Sequence, residues 1–278
     1  MMYRSSFLKV VSVTFFAGIW ALGAPAYAAE VLKLEHSVYL GGLYMGSIKT
    51  EIEQDGTSYV VRAKALTNQK LKWVLSWRAE AVSQGRIKDM QVLPVKHMNT
   101  SRWKKKKERG ADIKYTPAGE VSYSVIGKKE RSLDRFTPLD PETLNNSIDP
   151  MSMILAAMVR FEKNKVCSGT YPVFDGRRRY DVTLSDGGTK MLEKSTYSAF
   201  KGQAIGCKFK VTEKGGFERE RNYEITDPSD LVVWVASLVP GGPTVPVRMK
   251  ISTGFGAIML HLEKYSQGQT RFASKSAQ

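Results

Sequence analysis

The chain has 278 residues, a formal net charge of +15 and only two cysteines. That length buries a core without metals or several disulfides, and it excludes a small disulfide-built scaffold. The basic balance points to anionic neighbours: membrane head groups, acidic polysaccharide or an acidic protein.

Residues 1–28 have the three-part pattern of a secretory signal peptide. Arg4 and Lys9 open it, an apolar run from Val10 to Leu22 follows, and Ala26-Tyr27-Ala28 offers a small-x-small cleavage site. The apolar run is short for a bilayer span of about 20 residues, and no cysteine stands at the site for lipid attachment. The expectation is a soluble exported protein of the periplasm starting near Ala29, with nucleic acid out of reach.

The following segment alternates with period two. Val31–Leu40 and Tyr44–Gln54 flank Gly41-Gly42, and Asp55-Gly56 then turns the chain into Ser58–Ala65. This is a β-hairpin with a primed turn. Residues 71–82 read as strand or strand edge, Gln84-Gly85-Arg86 as a turn, and Ile87–His97 as a strand pair broken at Pro94. Lys104–Gly110 is expected as a basic hairpin end. Short strands follow at Asp112–Tyr115 and Val121–Val125.

One helix stands out. Asp149 is placed to cap it and Pro150 to occupy its first position, where a missing N–H costs nothing. The helix, near 150–161, is apolar almost all round, as expected for a cover buried on a sheet. Strand language then resumes: Thr170–Phe174, a turn at Asp175-Gly176, and a return from Arg177 to Leu184. Thr189–Phe200 and Ala204–Thr212 read as two more strands. Leu231–Leu238 is a core strand or a short helix, which periodicity does not settle. Val245–Thr253 and Gly256–Leu262 close the chain as a hairpin. The reading is a single β-rich domain over 29–265 and a polar, frayed tail over 266–278.

Cys167 and Cys207 can form one intramolecular bridge, closing a loop of about 40 residues, and export places them in an oxidising space. No Cys-x-x-Cys spacing is present.

Three motifs, taken in order, resemble one known family. They are Tyr39-Leu40-Gly41-Gly42-Leu43-Tyr44-Met45-Gly46, then Ser147–Leu155 across the helix entry, then Tyr171–Val182 across the Asp175-Gly176 hairpin. The chain resembles DUF3108, exported bacterial proteins of unknown function. The resemblance implies a mainly antiparallel sheet curled into a β-spiral or open barrel, with one packed helix. It is also similar in plan to other curled-sheet envelope proteins such as DUF1849 and the lipoprotein carriers. It implies no catalytic set.

Direct reading of the residues finds none either. His36, His97 and His261 lack metal-ligand spacing, and Gly-x-Ser-x-Gly is absent. No catalytic residue, metal or cofactor is expected, and the chain reads as non-enzymatic. Two basic features are candidate binding sites. Trp103 precedes Lys104, Lys105, Lys106 and Lys107, joining an amphipathic ring to a charge run suited to an anionic membrane surface. Arg177, Arg178 and Arg179 follow the Asp175-Gly176 turn, and in a strand Arg177 and Arg179 would share one side, suited to phosphate or carboxylate. Trp73, Trp77, Tyr39, Tyr44, Met45 and Met98 are expected mostly in the core, the alternative being the lining of a lipid-sized cavity inside a curled sheet. The functional expectation is a protein that supports cell-envelope integrity by binding another envelope component, protein or polymer. The alternative is a carrier or sensor of a lipid or other amphiphile inside the sheet.

Overall fold

The computed structural model describes residues 30–73, 75–104, 108–127, 134–220 and 225–275. The expected signal segment and Lys105, Lys106 and Lys107 lie outside the described residues.

The first half holds β1 (Leu32–Leu40), β2 (Leu43–Gln54), β3 (Ser58–Thr67), β4 (Trp77–Lys88), β5 (Gln91–Trp103), β6 (Arg109–Tyr115) and β7 (Val121–Ile126). The helix α1 (Pro150–Asn164) follows. Then come β8 (Gly169–Phe174), β9 (Arg179–Leu192), β10 (Gly202–Gly215), β11 (Ile225–Ser237), β12 (Thr244–Thr253), β13 (Gly256–Gln267) and β14 (Thr270–Ala273). All belong to one sheet, in the order β7-β6-β5-β4-β3-β2-β1-β13-β12-β11-β10-β9-β8, with β14 added on β13. Each half is a run of antiparallel neighbours. The halves join where β1 pairs with β13, setting Leu34 opposite Tyr265 and Ser37 opposite His261.

The expected β-spiral or open barrel is not what forms. The strand order is open, β7 and β8 are its two edges, and among the described residues no ladder joins them. A sheet closes on itself to remove edges and bury its apolar face. Here the apolar face has another cover: α1 lies against it, touching β4, β5, β8 and β12. Leu155 of α1 is buried in a cluster with Leu32, Leu34, Ile52, Val61, Val247 and Leu262, so one helix joins the two halves.

Several local expectations shift. Gln84-Gly85-Arg86 is no turn but the interior of β4, opposite Pro94 at a register shift. A side chain at Gly85 would collide with the Leu93 carbonyl oxygen and the Tyr59 hydroxyl, so glycine serves close approach there rather than a reversal. The turn comes at Asp89 and Met90, both with positive φ. Of Leu231–Leu238, residues 231–237 form the end of β11 and Leu238 lies just beyond it. The tail expected to fray instead forms β14, with the Ser274 N–H donating to the Glu263 carbonyl at 2.7 Å.

Candidate functional site

The helix is seated by a buried polar network. The Asp149 Oδ1 accepts from the backbone N–H of Met151 at 3.0 Å and of Ser152 at 2.9 Å, satisfying two of the donors a helix start leaves open. It also accepts from the Ser83 hydroxyl at 2.6 Å, and His97 Nδ1 lies 3.1 Å away. Asn99 Nδ2 lies 3.0 Å from His97 Nε2 and donates to the Asp175 carbonyl at 3.0 Å, linking the network to the β8–β9 turn. The Tyr59 hydroxyl meets Ser152 Oγ at 2.7 Å. Burial alone would raise the Asp149 carboxyl. The hydrogen bond and charge of His97, with bonds from Ser152 and Ser83, outweigh it and hold the group below the usual carboxylate range.

Ser83, His97 and Asp149 are the residue types of a hydrolase triad. All three are buried, and the Ser83 hydroxyl proton is directed at Asp149. A nucleophile needs an activating base and a path for substrate. This trio has no path to solvent, and its geometry anchors the helix cap to β4 and β5.

With α1 anchored, its remaining apolar surface faces a cavity of about 350 Å³. Met153, Ala157 and Phe161, at spacing four, form one row of its wall, and Ile154 and Met158 form the next. The opposite wall comes from the sheet: Val182 and Leu184 of β9, Phe209 and Val211 of β10, Val233 and Val235 of β11, Met249 of β12 and Leu260 of β13. Thr244 and Ser168 are the polar residues in the lining, and no charged side chain enters it. The two stripes of α1 explain its all-round apolar sequence. Ser152 and Leu155 face the filled core, while Met153, Ala157 and Phe161 face the cavity.

The Cys167–Cys207 disulfide lies in the same wall. Lys165 ends the helix in a left-handed conformation, its N–H donating to the Phe161 carbonyl at 2.7 Å. Cys167, two residues on, is then tied to β10. The bridge fixes the helix exit against the cavity floor.

The sequence candidates fall elsewhere. Arg177, Arg178 and Arg179 do not form a paired surface. Residues 177 and 178 lie in the turn, with their N–H groups on Asp175 Oδ1 at 2.9 and 2.7 Å, and Arg178 ion-pairs with Asp175 at 2.7 Å. Arg179 is buried, donating to the Thr143 carbonyl at 2.9 Å and to Asp181 at 2.6 Å. The strand begins only at Arg179, so the alternation assumed for the three does not apply. Gly176 has positive φ and packs on Ala111. Trp73, Trp77 and Met98, expected in the core, are exposed, and Trp103 is exposed at the end of β5. Tyr39 and Tyr44 pack with Tyr197 and His261 as a ring cluster.

The cavity lining escaped sequence reading because its residues come from six elements. The one available sign was that α1 is apolar on more than the stripe one core requires.

The chain is thus an antiparallel sheet with one capped helix over an apolar cleft. The model of DUF3108, a protein family of unknown function, matches residues 35–263, and the chain belongs to that family. No curated protein matches. Among solved structures, the chain is similar to the beta-barrel-like protein of domain of unknown function DUF1849 from Brucella abortus. The TM-score is 0.51 at 14% identity, covering 87% of this chain and 99% of that one. At that identity the likeness is one of fold.

Proposed function

We propose that this protein is a non-catalytic carrier or sensor of an amphiphile, holding one hydrocarbon chain between α1 and strands β9–β13. The observation that carries this is the cavity of about 350 Å³ with an apolar lining. Ligand sites span about 300–1,000 Å³ and are mostly apolar. The cleft opens to solvent, with Ile154 and Val211 of its lining exposed, so it presents apolar surface that a hydrocarbon chain would cover. Two lining methionines, Met153 and Met158, suit chains of variable shape.

The working location in this reading is the periplasm. It is supported by the pattern of residues 1–28 and by a disulfide that persists in oxidising compartments. Support of the cell envelope through a protein or polymer partner is the second reading, favoured by the basic surface.

The test is extraction of the protein, purified from its own cells, with organic solvent, followed by mass spectrometry of the extract. A stoichiometric lipid or fatty acid is expected. If the extract is empty and the purified protein also leaves a fluorescent fatty-acid probe unbound, the carrier reading is wrong.

A further inference from the structure

Among the connections that the antiparallel register brings to one end of the sheet, four carry large exposed side chains or lie beside them. The β1–β2 turn follows Leu40, which pairs with Ile258, so the β12–β13 turn at Gly254–Phe255 lies beside it. Gly46 near the start of β2 pairs with Thr67 at the end of β3, so the segment between β3 and β4 starts at the same end. Asn68 confirms that placement: its N–H donates to the Met45 carbonyl at 2.8 Å. Trp77, opening β4, is directly opposite Trp103, closing β5, and the Lys104 N–H donates to the Ser76 carbonyl at 2.5 Å.

This end carries large apolar side chains in water. Trp73 is 84% exposed, Phe255 74% and Leu43 56%, and the Trp77–Trp103 pair is 38% and 44% exposed. Such side chains collected on one rim mark an interaction surface.

The charge of the rim identifies the partner. The segments that carry the exposed tryptophans, 66–79 and 98–107, contain no aspartate or glutamate; Glu108 closes the β5–β6 connection, and Asp175 and Glu218 lie in the β8–β9 and β10–β11 connections farther along the same end. Lys70, Lys72 and Lys104 stand among the exposed rings, all three exposed. The opposite end of the same hairpins differs, with Asp55 and Asp89 in its turns. This patch of tryptophans and lysines matches an anionic bilayer surface: indole rings favour the head-group layer and each lysine gains from the surface potential.

We infer that this rim is a docking surface for an anionic lipid bilayer, with Trp73, Trp103 and Phe255 entering the head-group layer and Lys70, Lys72 and Lys104 facing its charge. The surface shares no residue with the cavity lining and stands whether or not the cavity holds a chain.

The experiment is flotation of the disulfide-intact protein with vesicles of phosphatidylglycerol and phosphatidylcholine, and with phosphatidylcholine alone. Binding to the mixed vesicles, a blue shift of tryptophan emission and release by high salt are expected. The double variant K70E/K72E should bind the mixed vesicles roughly tenfold or more weakly. The variant W73S/F255S should lose the blue shift while its circular dichroism matches the unaltered protein. Both pairs are solvent-exposed, so the fold is retained. Failure to float with anionic vesicles would overturn the inference, as would equal binding to neutral vesicles or unchanged binding by both variants. Blocking the cavity with Ala157→Phe leaves flotation intact, which separates this surface from the carrier reading.

Discussion

His97 Nδ1 lies 3.1 Å from the Asp149 carboxylate, with both side chains buried. That contact ties the start of α1 to strand β5. It thereby fixes the start of the helix whose other apolar stripe lines the cavity.

Replacing Asp149 with Ala removes the helix cap and leaves His97, Ser83 and Ser152 without their shared acceptor. Breaking a buried pair and a cap together should lower stability by at least about 3 kcal/mol. Asp149→Asn keeps a capping oxygen and should cost less. Urea unfolding of both variants measures the difference. Equal, small losses would mean that the network does not hold the helix.

Reducing the Cys167–Cys207 bridge releases a loop of 40 residues. The chain-entropy estimate is about 4 kcal/mol of stability, a ceiling that real bridges often miss. Because the bridge lies in the cavity wall, Cys207→Ser should also weaken binding of a fluorescent fatty acid. A variant with unchanged denaturation midpoint and unchanged probe affinity would contradict this placement.

Filling the cavity tests its use. Ala157→Phe puts a ring where α1 faces β9 and β10, and probe affinity should fall about tenfold or more, some 1.4 kcal/mol. Leu155→Ala, on the stripe facing the filled core, should instead cost about 2–5 kcal/mol of stability. Calorimetry and probe titration of the two variants distinguish the stripes.

Stability should depend on pH in two windows. Burial, then the charge of Arg248, lowers the His261 imidazole to about 4. Burial also lowers His36, partly offset by its Nε2–H donating to the Pro246 carbonyl at 2.9 Å. The unfolded chain takes up protons at these histidines near pH 6.5 while the folded chain does not. Stability therefore declines as pH falls from about 6.5 toward 4. Below about pH 4 the depressed Asp149 carboxyl adds a second decline, since the unfolded chain is protonated there first. Urea midpoints across pH 7.5 to 3 check the slope. His261→Gln should flatten the upper window, and an unchanged slope would show that His261 is not its source.

Much of the local structure is written in the sequence. The Asp55-Gly56 turn, the Asp149-Pro150 helix start and the alternation of β1 to β3 each rest on neighbours within a few residues. Their backbone preferences act before any tertiary contact exists. The Cys167–Cys207 bridge was legible for another reason: the sequence holds only these two cysteines. Tertiary structure decided the rest. Period-two alternation assigns a side chain to a face but not to a partner, so the pairing of His36 with Leu262 in the β1–β13 ladder is not encoded locally. The same holds for the single buried cover that leaves the sheet open, for the burial of Arg179 and for the exposure of Trp73 and Trp77. The cavity is the extreme case: its walls come from α1 and five strands, far apart in sequence, which meet only in the folded chain.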